Sequence, residues 1–193
     1  MKLTTLTLGL YQTNCYILSG NGKDALVIDP GYEPDTVASA LAEQGLTLAA
    51  ILLTHGHFDH VGAVNDLAAQ TGCPVYLCEK EKALPPVMTA GPLCRTLSYG
   101  EGDELTLGGL TFTVWETPGH TPGSVCLKFG DVLFTGDTLF ARSCGRVDFP
   151  GSSPAQMKAS LARLAAVTEN LTIYPGHGES TTLSEEKKYN PFL

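Results

Sequence analysis

The segment Leu48-Ala49-Ala50-Ile51-Leu52-Leu53-Thr54-His55-Gly56-His57-Phe58-Asp59-His60 carries three of the chain's five histidines. Its first six residues form a continuous apolar run, short enough for a strand buried on both faces. At Thr54 the run gives way to a glycine-containing loop. His55 and His57 lie two positions apart, so in an extended backbone both imidazoles leave the same side and can share one ion. Asp59 and His60 follow a turn and can reach a second site. Imidazole and carboxylate donors suit zinc, iron or manganese, and the absence of cysteine from the motif argues against a closed thiolate zinc site.

Working outward, the same arrangement recurs. Leu110 to Glu116 reads as a strand and leads into Thr117-Pro118-Gly119-His120, and Leu171 to Tyr174 leads into Pro175-Gly176-His177-Gly178. Val132 to Thr135 ends in Gly136-Asp137, and Val27-Ile28 ends in Asp29-Pro30-Gly31. Strand ends are where sheets aim short loops into one crevice. A lone histidine after a strand is ordinarily a surface or hydrogen-bonded residue. Here His55, His57, His60, His120 and His177 account for every histidine in the chain, and none falls outside the pattern.

The remaining elements follow from periodicity and turn residues. Strands are expected at 2–8, 12–19, 24–29, 48–53, 75–77, 104–107, 110–116, 124–129, 131–135 and 171–174. Val37 and Leu41 lie one turn apart in a helix over 34–44 that Gly45 ends, and Val61, Val64 and Leu67 share a face of a helix over 60–70. Ser153-Pro154-Ala155-Gln156 has the form of a capping box with proline at the first helical position, and a short helix closes the chain over 184–189. Residues 84–102, rich in proline and glycine, read as a long loop. Helices in both halves and a majority of strands favour a sheet-on-sheet core with helices outside.

Composition restricts the function. The chain has 193 residues, 43% hydrophobic and 17% charged, as a packed globular domain requires. Twelve Lys and Arg against twenty Asp and Glu give a net charge of −8, with no basic run, which excludes a nucleic-acid partner from the expectation. No stretch reaches the ~20 apolar residues of a membrane span, and the amino end lacks a signal-peptide core. The expectation is therefore a cytoplasmic protein without a membrane partner. The six cysteines are scattered without a Cys-x-x-Cys pair and read mainly as small buried hydrophobes.

With Thr54–His60, Thr117–Ser124, Phe134–Phe140, Tyr174–Gly178, Gly145-Arg146-Val147-Asp148-Phe149-Pro150 and the Asn190-Pro191-Phe192 ending taken together, the chain resembles the metallo-β-lactamase superfamily over nearly its whole length. Within it, the sequence is most similar to the hydroxyacylglutathione hydrolases (glyoxalase II) and their short bacterial relatives. The resemblance implies an α/β fold, a four-layer αββα sandwich of two mixed sheets, as one domain over 1–193 without the additional carboxy-terminal helical region of full-length glyoxalase II. It implies two divalent ions, zinc first with iron or manganese as alternatives. His55, His57 and His120 would hold one, Asp59, His60 and His177 the other, and Asp137 would bridge them. The implied activity is hydrolysis of S-2-hydroxyacylglutathione or a similar small thioester by a metal-bridging hydroxide, with Asp59 also orienting the nucleophile or carrying a proton.

Further residues carry paired expectations. Arg146 is a candidate clamp for a substrate carboxylate or a structural partner of Asp148. Asp29 is a candidate acceptor for the distal nitrogen of a ligand imidazole or a plain turn residue. Arg142 reads as surface, Cys144 as a packing cysteine, and Tyr189 with the 84–102 loop as walls of the substrate pocket. The competing activities on the same fold are a persulfide dioxygenase, with one iron on His55, His120 and Asp137, and a lactonase or esterase on the dinuclear site.

Overall fold

The computed structural model describes residues 1–193. Strands β1 (Lys2–Leu8), β2 (Thr13–Ser19) and β3 (Asp24–Ile28) lead to helix α1 (Pro34–Glu43) and β4 (Thr47–Leu52). Helices α2 (Phe58–Val61) and α3 (Val64–Thr71), β5 (Val75–Cys78) and β6 (Thr96–Tyr99) follow. The second half runs β7 (Glu104–Leu107), β8 (Leu110–Glu116), β9 (Val125–Phe129), β10 (Val132–Gly136), β11 (Leu139–Phe140), β12 (Ser143–Cys144), α4 (Pro154–Ala166), β13 (Thr172–Pro175), β14 (Thr181–Thr182) and α5 (Leu183–Tyr189). One six-stranded sheet has the order β1-β2-β3-β4-β5-β6 and the other β14-β13-β10-β9-β8-β7. Both are mixed: β3, β4, β5 and β6 run parallel in the first, β10 and β13 in the second, and the other pairs within them are antiparallel.

Three apolar clusters separate four layers, and side-chain alternation along the strands decides which cluster each residue joins. Ile17, Val27 and Ile51 face Val37 and Leu41 of α1 and Val64 and Leu67 of α3. Their neighbours Leu18, Leu26, Ile28 and Leu52 point the other way, onto Phe112, Val114, Leu127 and Phe134 of the second sheet. Cys126, Leu133 and Ile173 leave that sheet's outer face and pack on Met157, Leu161 and Leu164 of α4 and Leu183 of α5. The architecture is the αββα sandwich of two mixed sheets. Ser153 caps α4 by accepting the Gln156 N–H at 3.3 Å, with Pro154 at the first helical position. No helix is long and apolar enough to cross a membrane.

Two expectations need correction. The helix expected over 60–70 is broken at Gly62-Ala63 into α2 and α3. There the Gly31 carbonyl sits 2.2 Å from where a Gly62 Cβ would stand, and Ala63 donates its N–H to Pro30 at 3.0 Å. This contact comes from another part of the chain and overrides the helical pattern. The 84–102 loop also contains β6, paired parallel to β5 from Val75↔Thr96 to Cys78↔Tyr99. Only Tyr99 of that edge strand is buried, so no alternation marks it.

The topology gathers the carboxyl ends of five strands at one edge. Two antiparallel steps, β8 to β9 and β9 to β10, return β8 and β10 to the same direction, and β13 is parallel to β10. In the facing sheet β3 and β4 end at the same edge, which Val125 ties to the second sheet by donating its N–H to the Thr54 carbonyl at 2.9 Å.

Candidate metal centre

That edge brings every histidine of the chain together. The donor atoms of His55, His57 and His120 lie within 4.8 Å of one another, and so do those of Asp59, His60 and His177. Asp137 stands between the two groups: Oδ1 is 3.3 Å from His60 Nε2, and Oδ2 is 3.4 Å from His120 Nε2 and 3.5 Å from His177 Nε2. His60, His55 and Asp29 also converge within the same limit. Asp29 is already committed, however. Its Oδ1 accepts the Thr54 N–H at 2.8 Å, and its Oδ2 accepts the Thr54 hydroxyl at 2.6 Å and the His60 Nδ1–H at 3.0 Å. It orients a neighbouring imidazole and has no free oxygen for an ion.

The outer nitrogens are anchored, which aims the inner ones. His120 Nδ1 donates to the Arg146 carbonyl at 2.8 Å, and His177 Nδ1 to the Tyr11 carbonyl at 3.0 Å. Because the Thr54 hydroxyl spends its proton on Asp29, His55 Nδ1 must donate to Thr54 Oγ1, 3.1 Å away. Asp29 thereby holds His60 directly and His55 through Thr54. Four inward atoms, His55 Nε2, His57 Nε2, His120 Nε2 and Asp137 Oδ1, are buried without a hydrogen-bond partner. Buried polar atoms are ordinarily satisfied. The three histidines among these residues have donor atoms within 4.8 Å of one another, which fits a cation that would accept their lone pairs.

The protonation states differ between the two groups. Burial and the surrounding imidazoles push His55 well below the ordinary histidine range and His57 down to about 4, leaving neutral rings with free lone pairs. For His60 and His177 burial acts the same way but loses to the carboxylates. Asp137 and Asp29 raise His60, and Asp137 and Asp59 raise His177 to about 9. Asp137 is held well below the usual carboxylate range against its own burial, chiefly by His60 and His177. Asp137 and Asp59, which is also lowered, stay ionised, and a divalent cation at the second group would displace a proton from His60 and His177.

The profile of the metallo-beta-lactamase superfamily matches residues 8–177. The chain belongs to this superfamily. An uncharacterized protein of Mycobacterium leprae is 37% identical over 100% of this chain and 99% of its own. The hydroxyacylglutathione hydrolase GloC of Haemophilus influenzae is 34% identical over 100% and 98%. Among solved structures, the BLEG-1 B3 metallo-beta-lactamase superposes with a TM-score of 0.89 at 38% identity, over 100% of this chain and 99% of its own. TTHA1623 in a di-iron-bound form gives 0.85 at 38% identity over 98% and 100%. ETHE1 from Myxococcus xanthus gives 0.87 at 33% over 99% and 84%. The histidine and aspartate cluster is consistent with the dinuclear metal site of this superfamily.

The remaining candidates sort out around a cavity of about 360 Å³ that opens above the cluster. Tyr11, Phe58, Met88, Phe140 and Phe149 give it apolar walls, and Arg146 is the cation in its lining. The structure gives Arg146 the second of its expected roles, as partner of Asp148. Its Nε and Nη2 donate to Asp148 at 2.7 Å each, and the guanidinium lies 4.0 Å over the Phe149 ring. Its remaining N–H groups are uncommitted. Arg142 is exposed and stacks at 4.6 Å on Tyr189, which does not line the cavity as expected, whereas Met88 of the 84–102 segment does. Cys144 also lines the cavity, but burial raises its thiol and no histidine is spare to activate it.

Sequence reasoning missed two supports of the site. Thr54 precedes the histidine motif directly, and only its place between Asp29 and His55 shows its use. Asn14 of β2 donates its amide to the Pro175 carbonyl at 3.1 Å and the Gly178 carbonyl at 2.9 Å, bracketing His177. An asparagine 161 residues away from its acceptor leaves no local signal.

Proposed function

We propose that the chain is a dinuclear-metal thioesterase acting on S-2-hydroxyacylglutathione or a similar small thiol ester. The observation that carries this reading is the set of four orphaned donor atoms, three of them on residues that line an open cavity, His57, His120 and Asp137. Bound divalent ions would supply Lewis acidity and a water acidic enough to ionise near neutrality. His55, His57 and His120 would hold one ion, Asp59, His60 and His177 the other, with Asp137 shared. Asp59 Oδ2, 3.4 Å from His177 Nε2 and 3.5 Å from the Thr13 hydroxyl, sits where it can take the proton of the attacking water. The apolar walls exclude bulk water from the reacting carbonyl. Arg146 offers its free N–H groups to a carboxylate of the thiol carrier. GloC, 34% identical along the whole chain, is a hydroxyacylglutathione hydrolase, and that likeness supports glutathione as carrier.

Hydrolysis of S-D-lactoylglutathione by protein reconstituted with zinc, manganese or iron tests the reading, with His57→Ala as control. Metal-dependent thiol release lost in the control is expected; a fully metallated sample without turnover would overturn the substrate. A second reading is a persulfide dioxygenase with one iron on His55, His120 and Asp137; the di-iron form of TTHA1623, 38% identical to this chain, supports only the choice of iron as metal. Oxygen uptake with glutathione persulfide would favour it.

A further inference from the structure

We infer that Glu81 is a positioning residue for the three-histidine cluster, a buried carboxylate that ties the His55–His57 loop to the His120 loop. Glu81 lies in the 3-10 turn Glu79–Ala83 that follows β5, away from both histidine motifs in sequence, and is 3% exposed. Its Oε2 accepts the N–H of Gly56, the residue between His55 and His57, at 2.6 Å. Its Oε1 accepts the N–H of Gly123, three residues after His120, also at 2.6 Å. One side chain thus bridges the two loops that supply this cluster.

Two features show a built contact. The neighbouring lysines are engaged elsewhere, Lys80 with Glu116 and Lys82 with Glu79, so the buried carboxylate depends on N–H and hydroxyl donors for its compensation. A lone buried charge is costly, and an apolar side chain would fill the space at less expense. Both glycines also make room for the approach. A Cβ on Gly56 would stand 3.2 Å from Glu81 Oε2, and one on Gly123 would stand 2.7 Å from Oε1. The other group, Asp59, His60 and His177, has no such tie to Glu81. Its members are held by Asp29, Thr13 and Tyr11.

This inference rests on the metal reading of the cluster and is independent of the substrate. The test uses the full chain and zinc alone, by chelator competition, in two backgrounds. His177→Ala leaves the three-histidine cluster as the intact ligand group; His120→Ala leaves the Asp59, His60 and His177 group. Glu81→Gln keeps one acceptor and sets an amide NH₂ against the other glycine N–H. It should weaken zinc about tenfold in the first background, in line with partners that orient ligands, and less than twofold in the second. Gly123→Ala leaves the carboxylate and displaces it, and should reproduce the same selectivity; it carries the comparison if Glu81→Gln lacks a cooperative melt. Equal losses in both backgrounds would show a general structural role and overturn the inference, as would unchanged affinity in the first. Failure of the unmutated chain to bind zinc would instead overturn the metal reading itself.

Discussion

Asp29→Asn is the substitution that most cleanly separates orientation from ligation. Asp29 has φ 50°, a left-handed conformation that asparagine tolerates, so the backbone is not disturbed. With its oxygen kept on the Thr54 N–H, the new amide NH₂ faces the Thr54 hydroxyl and His60 Nδ1, both of which now donate to Asp29 Oδ2. His60 must then accept at Nδ1 and carry its proton on Nε2, the nitrogen that lies 3.3 Å from Asp137 and 3.3 Å from His177. A protonated Nε2 has no lone pair to give. Losing an orienting partner costs about 10–100-fold in metal affinity, roughly 1.4–2.7 kcal/mol. Folding stability should change less, because the substitution also removes a buried charge. Chelator competition with zinc, followed by elemental analysis of the dialysed protein, reads the effect. Two ions per chain retained with unaltered affinity would refute the tautomer argument.

Other perturbations follow from the same geometry. Asn14→Ala strips the Pro175 and Gly178 carbonyls of their donor and should cost about 1–3 kcal/mol of stability; urea denaturation measures it, and a loss below 0.3 kcal/mol would mean that water replaces the amide. Arg146→Ala should raise KM for a carboxylate-bearing thioester several-fold with kcat little changed, because His120 is held by the residue's backbone carbonyl rather than its side chain. A fall in kcat alone would contradict that division. Glu101 is held below the usual glutamate range first by its hydrogen bond from Arg163. Its contribution is therefore present above the ordinary glutamate value and lost as pH falls through the lowered one. The pair is half exposed, so Glu101→Gln should cost only about 0.5 kcal/mol at pH 7 and progressively less as pH falls through the lowered value, by urea denaturation at each pH.

The candidate ligands were legible because each stands where a strand stops at a glycine-containing turn, and strand ends are visible in local sequence. The strands of both sheets were legible from their own patterns, apart from short pieces, and the mixed arrangement came from the family resemblance. β11, β12 and β14 have two residues each, too few for a period, and β6 is an exposed edge with one buried side chain. The break between α2 and α3 depends on the Gly31 carbonyl, which no reading of residues 58–71 alone contains. Thr54, Asn14 and Glu81 escaped for a related reason: the site uses them through hydrogen bonds to backbone or to a neighbour's partner, and the distant acceptor or donor leaves no trace beside them in the chain. Arg146 lines the cavity, and its carbonyl, which every residue possesses, holds His120.

The central claim is that two ions share this edge of the sandwich. An anomalous-difference map from zinc-loaded crystals tests it most directly. The account predicts two peaks per chain, one among His55, His57 and His120 and one among Asp59, His60 and His177, with Asp137 between them. A single peak, or none at these side chains in zinc-saturated protein, would contradict it.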